Sequence, residues 1–60
     1  MKRRAFIRQL ETEGCVLTRS SGGHDLYHNP LTKRSAPVPR HTEIRNTLCK
    51  EIRKQLGLPQ

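Results

Sequence analysis

Aromatic side chains are almost missing from this 60-residue chain, which has one Tyr, one Phe and no Trp. Tyr27 and Phe6 alone poorly supply the row of rings on which single-strand nucleic-acid binders stack bases. Long apolar runs are missing too. Nothing approaches the ~20 residues of a membrane span, and the start MKRRAFIRQL has no continuous apolar segment of the secretory kind. The expectation is a soluble, cytoplasmic chain. Cysteine is scarce: Cys15 and Cys49 are the only two, and neither has a second Cys or a His beside it at zinc-ligand spacing. In a chain read as cytoplasmic they are expected as reduced thiols serving as small hydrophobes rather than as a disulfide. Acidic residues number five against twelve Lys and Arg. Length itself is short, enough for a single domain, 1–60, with a thin core; such a chain buries only about 60% of the surface its unfolded form exposes.

The formal charge is +7, and eight of the twelve cations are Arg, whose planar fork suits phosphate. A polyanion such as nucleic acid is the natural partner, and an acidic protein fits the same charge. Along the chain, Phe6, Ile7 and Leu10 recur at helical spacing and predict a helix over 2–13, closed by Gly14 with Cys15 making the apolar contact that accompanies such a cap. Residues 15–20 are short and β-branched, a strand; Ser21-Gly22-Gly23 is a turn; 24–29 is a second strand ended by Asn29-Pro30. After a polar turn over 31–34, residues 35–39 make a short edge strand, since Pro37 and Pro39 cannot donate to a ladder. Ile44, Leu48, Ile52 and Leu56 lie four apart on one stripe of a helix within 42–56. Its cap is Thr42, Asn46 or Thr47, and Gly57 and Pro59 stop it. The order α-β-β-β-α implies an antiparallel three-stranded meander with both helices on one face, an α+β fold.

Within SSGGHDLYH (20–28), Gly22 and Gly23 can form a tight turn, offer amides to a phosphate, or both. His24 follows at the mouth of a strand, where a side chain stays partly exposed yet held. Imidazoles titrate near neutral pH and are the usual movers of protons in RNA cleavage. His28 and His41 complete a set of three histidines from which an acid and base pair could come. A divalent metal is a poor fit, because the histidines are scattered and Asp25, adjacent to His24, points to the other strand face. Tyr27 either stacks on a base or packs half-buried in its strand.

Together these stretches resemble the HicA-type (YcfA-like) mRNA interferase toxins of bacterial toxin-antitoxin pairs. The carrying features are the helix ending in LETEGCVLTRS, Gly22-Gly23-His24 with Tyr27-His28-Asn29-Pro30, the Val38-Pro39-Arg40-His41 turn, and EIRNTLCKEIRKQLGL. The resemblance implies a fold like a double-stranded-RNA-binding domain. It also implies a metal-independent endoribonuclease acting on mRNA, with no cofactor, in which the histidine of a Gly-(Ser/Gly)-His motif, here His24, is catalytic. Members commonly have Ser where this chain has Gly23, and Gly-Thr where it has Asn46-Thr47. On turn geometry, the amides of Gly22 and Gly23 with Arg19 or Arg40 are the expected phosphate holders, with Tyr27 and His28 as further RNA contacts. The donor to the leaving 5′-oxygen is His28, His41 or water. A HicB-type antitoxin covering the His24 region is the implied protein partner. The alternative on the same shape is a non-catalytic RNA-binding module that represses messages by occupancy.

Overall fold

The computed structural model describes residues 1–59. Its elements follow the expected order: α1 (Arg3–Thr12), β1 (Val16–Ser21), β2 (His24–Asn29), β3 (Arg34–Pro39) and α2 (Asn46–Gln55). The sheet is an antiparallel meander in the order β1-β2-β3. Among the described residues no helix is long and apolar enough to cross a membrane.

Both helices end in the same way. At α1 the Gly14 amide donates to the Glu11 carbonyl (3.0 Å) and the Cys15 amide to that of Leu10 (2.9 Å). This double closure is a Schellman ending, and its apolar partners Cys15 and Leu10 are both buried. At α2 the amides of Gly57 and Leu58 close onto the carbonyls of Lys54 (3.0 Å) and Arg53 (2.9 Å).

The start of α2 differs from the expectation. Neither Thr42, Asn46 nor Thr47 caps it; Arg45 occupies that position and no side chain hydrogen-bonds the helix end. The reason lies in the segment before it. Arg3 N–H donates to the Thr42 carbonyl and Ile44 N–H to that of Met1, both at 2.8 Å, with Lys2 and Glu43 in a β-bridge. This pairing holds residues 42–44 extended, so Ile44 enters the core from outside the helix. The apolar stripe is therefore re-phased: Cys49, Ile52 and Leu56 are buried, while Leu48, expected inside, is 41% exposed. At 100° per residue Cys49, Ile52 and Leu56 fall within an arc of about 60°, and Leu48 lies about 40° outside its Ile52 edge.

Phe6 and Leu10 from α1 meet Tyr27, Ala36 and Val38 from the sheet and Ile44, Ile52 and Leu56 in one core. Burial of a side chain such as Phe6 contributes about 1.5–3 kcal/mol, so each member matters in so small a cluster. Both thiols are free of any disulfide and buried in it, and Cys49 Sγ donates to the Ile44 carbonyl (3.9 Å). Burial raises the pKa of each, as suits inert packing thiols.

Along β2 burial alternates: Asp25, Tyr27 and Asn29 are buried beneath the helices, and His24, Leu26 and His28 face the other way. Tyr27 pairs with Ala36 and Asp25 with Val38, so the covered face continues onto β3. β1 overhangs the helices and is exposed along its whole length.

Candidate functional site

His24 is placed by a turn. Ser21 and His24 pair directly across two residues, Gly22 at φ 54° and Gly23 at φ 82°. Positive φ at both central positions is the type I′ geometry that matches strand twist, and glycine reaches it without strain. Neither Gly22 nor Gly23 N–H has a backbone acceptor among the described residues. Two free amides therefore stand beside the histidine.

The open face of the sheet surrounds His24 with few groups. Arg19, Ser21, His24, Leu26 and Pro37 line a shallow depression of ≈ 280 Å³ there. A bulge in β1 sets this grouping: Arg19 pairs with Leu26 and Leu17 with Tyr27, which leaves Thr18 as the extra residue. The Thr18 hydroxyl donates to the Leu26 carbonyl (3.1 Å), fixing the irregularity. Among the described residues the His24 ring has no hydrogen-bond partner, and it is exposed. Both ring nitrogens are thus free of any protein partner among the described residues.

The neighbouring Asp25 does not orient that ring. It faces the helices, where Arg3 donates to it at 2.5 Å and Arg40 at 3.0 Å. Arg3 also donates to the Pro39 carbonyl (2.9 Å), so the cluster ties α1 to the end of β3. The Ser20 hydroxyl beside it, then Arg40 and Arg3, hold the Asp25 carboxyl below the ordinary carboxylate range against an opposing desolvation. Arg40, expected as a phosphate holder, is therefore occupied on the far side of the sheet. Arg19 is the cation that lines the depression.

The remaining expected residues separate. Tyr27, expected as an RNA contact, is 5% exposed and packs in the core, which corrects that expectation: its place in β2 puts it on the covered face, where no base can stack. His28 shares the open face with His24 but lies four strand residues away, about 13 Å at ~3.3 Å per residue. At that separation the two rings cannot both reach one bound group within hydrogen-bond distance. Its Nδ1 shares a hydrogen bond of 2.8 Å with the Ser35 hydroxyl. His41 lines a different hollow, with Pro39, Glu43, Ile44 and Leu48. No group of three His, Cys, Asp or Glu side chains is gathered at a cation-binding distance among the described residues.

Two serines escaped the sequence reading, Ser21 beside His24 and Ser35 beside His28. Both would have been found by carrying the period-two alternation across the hairpins once the turns were fixed. Serine is common in strands and turns and gives no signal by itself.

With the geometry in view, the chain matches the family model described as the HicA toxin of bacterial toxin-antitoxin pairs over residues 3–58. No curated protein and no solved structure matches it.

Proposed function

The chain belongs to the HicA toxin family, the toxin of a toxin-antitoxin pair with a cognate antitoxin, and we propose that it is a metal-independent endoribonuclease of mRNA in which His24 is the general base. One observation carries this reading: an exposed, unbonded imidazole stands directly after two free amides, above a depression lined by Arg19.

In the proposed reaction His24 takes the proton from a ribose 2′-hydroxyl. The freed oxygen attacks the adjacent phosphorus in line, the bond to the 5′-oxygen breaks, and a 2′,3′-cyclic phosphate remains on one product. The 5′-oxygen leaves with a proton delivered by water, since His28 and His41 stand elsewhere. Arg19 and the amides of Gly22 and Gly23 carry the charge that builds on the phosphorane. Charge placed this way acts most strongly where water is excluded. The flat, open site leaves that exclusion to the RNA itself. A HicB-type antitoxin is the proposed inhibitor, covering the His24 face and meeting the +7 charge with an acidic surface.

His24→Ala should keep its RNA affinity and lose cleavage by about 10²- to 10⁴-fold, the range for general acid-base help. Incubation with a long RNA in EDTA, beside a gel-shift assay, measures both. Retarded but intact RNA with the native chain would instead favour a module acting by occupancy. Equal loss of binding and cutting in the variant would reduce His24 to a contact.

A further inference from the structure

The mechanism leaves one built constellation on the open face unused. His28 and Ser35 pair across β2 and β3 and share the 2.8 Å hydrogen bond through Nδ1. The bond fixes the ring and leaves Nε2 for a ligand. With Nδ1 donating, Nε2 accepts, as toward a ribose hydroxyl; with Nδ1 accepting, or with the ring charged, Nε2–H donates, as toward a phosphate oxygen. Either way the ring suits a sugar-phosphate backbone.

The pair's position gives direction. His24, Leu26 and His28 project in file from β2, spanning about 13 Å by strand rise. Leu26, between them, offers an apolar floor and no competing polar group. On either side Arg19 and Pro37 flank Leu26 in register. We infer that the His28–Ser35 pair is a second contact to the RNA sugar-phosphate backbone, set back from the scissile bond, so that the substrate strand lies along β2 rather than across the sheet. This inference rests on the ribonuclease reading above. His28 is then a substrate-binding residue, and Ser35 is a positioning residue that acts through it.

The test uses a short RNA with one cut site and steady-state kinetics on the native chain, His28→Ala, Ser35→Ala and Ser35→Thr. Loss of one such hydrogen bond should raise KM on the order of tenfold for His28→Ala with kcat unchanged. Ser35→Ala should move KM the same way by less, and Ser35→Thr, which keeps the hydroxyl, should restore it. A neutral methylphosphonate placed at each phosphate in turn should raise KM at one position away from the cut, and that position should have no further effect in His28→Ala. An unchanged KM in His28→Ala would overturn the inference. A fall in kcat at constant KM would overturn it as well, because it would make His28 a proton donor at the cut. If the native chain cuts no RNA, the ribonuclease reading fails by itself. The Kd for the same oligonucleotide then still decides the contact, and equal values for native and His28→Ala overturn it.

Discussion

Neighbouring residues of β2 lead different lives because a strand turns alternate side chains to opposite faces. His24 faces solvent next to the glycine turn, whereas Asp25 meets Arg3 and Arg40 under the helices. That division was readable from sequence, since adjacency alone sends the two apart. The roles of the two arginines were not. Arg19 and Arg40 both flank the hairpin, and only the pairing of Arg40 with Asp25 separates them, a tertiary fact carried by a long, flexible side chain. Tyr27 was open between stacking and packing until the covered face was known. The separation of the arginines is testable. Arg19→Ala should lower kcat by about 10²-fold or more, as for removal of a donor to a developing oxyanion. Arg40→Ala should lower Tm and leave kcat of the folded protein near native. Single-turnover cleavage and thermal melts measure the two, and the reverse pattern would exchange their roles.

The elements themselves were largely legible. Apolar spacing located α1, Gly14 its end, the glycine pair the first hairpin, and the prolines the edge strand. Arg40 N–H donates to the Gly23 carbonyl at 3.2 Å, so by alternation the nitrogens of Pro37 and Pro39 face away from β2. They blunt that edge at no cost to the ladder. What sequence misplaced was α2. A four-residue spacing fits a helix, and nothing local reveals that residues 42–44 are held extended by residues 1–3. The far end of α2 is anchored through its last carbonyl: Leu56 accepts from Asn29 Nδ2 (2.9 Å) and from the Thr32 hydroxyl (2.7 Å). Gly57 follows at φ 73°, and a Cβ there would lie 2.7 Å from Thr32 Cγ2. Gly57→Ala should thus cost about 1–3 kcal/mol, from backbone strain and displacement of Thr32. Asn29→Ala, which removes a buried donor, should cost about 1–3 kcal/mol. Urea unfolding measures both, and changes below about 0.5 kcal/mol would refute the anchor.

For the molecule as a whole, a thin core and strong charge set the behaviour. A core of this size supplies roughly 3–5 kcal/mol, comparable to the cost of one large core truncation, so a bound antitoxin adds stability by mass action. Two ion-paired carboxyls tie distant parts together: Asp25 joins α1 to the sheet, and Glu13 joins the end of α1 to Arg53 of α2. Both have folded pKa values lowered from the ordinary range, Glu13 chiefly through its hydrogen bond with Arg53. Their contribution is present in full above the unfolded carboxylate value, about pH 4, and is lost as pH falls through the lower folded values. Stability followed by circular dichroism should fall below about pH 4, and Glu13→Gln should flatten that fall. If about four phosphates are contacted, log affinity for RNA should fall with log salt at a slope near −3. The central claim, attack by a ribose hydroxyl relieved of its proton by His24, is tested most directly by digesting an RNA and its twin bearing a single 2′-deoxy nucleotide at the cut site, both in EDTA. The account predicts cleavage of the first to a 2′,3′-cyclic phosphate end and an uncut second. Scission of the deoxy twin at the same bond would contradict it.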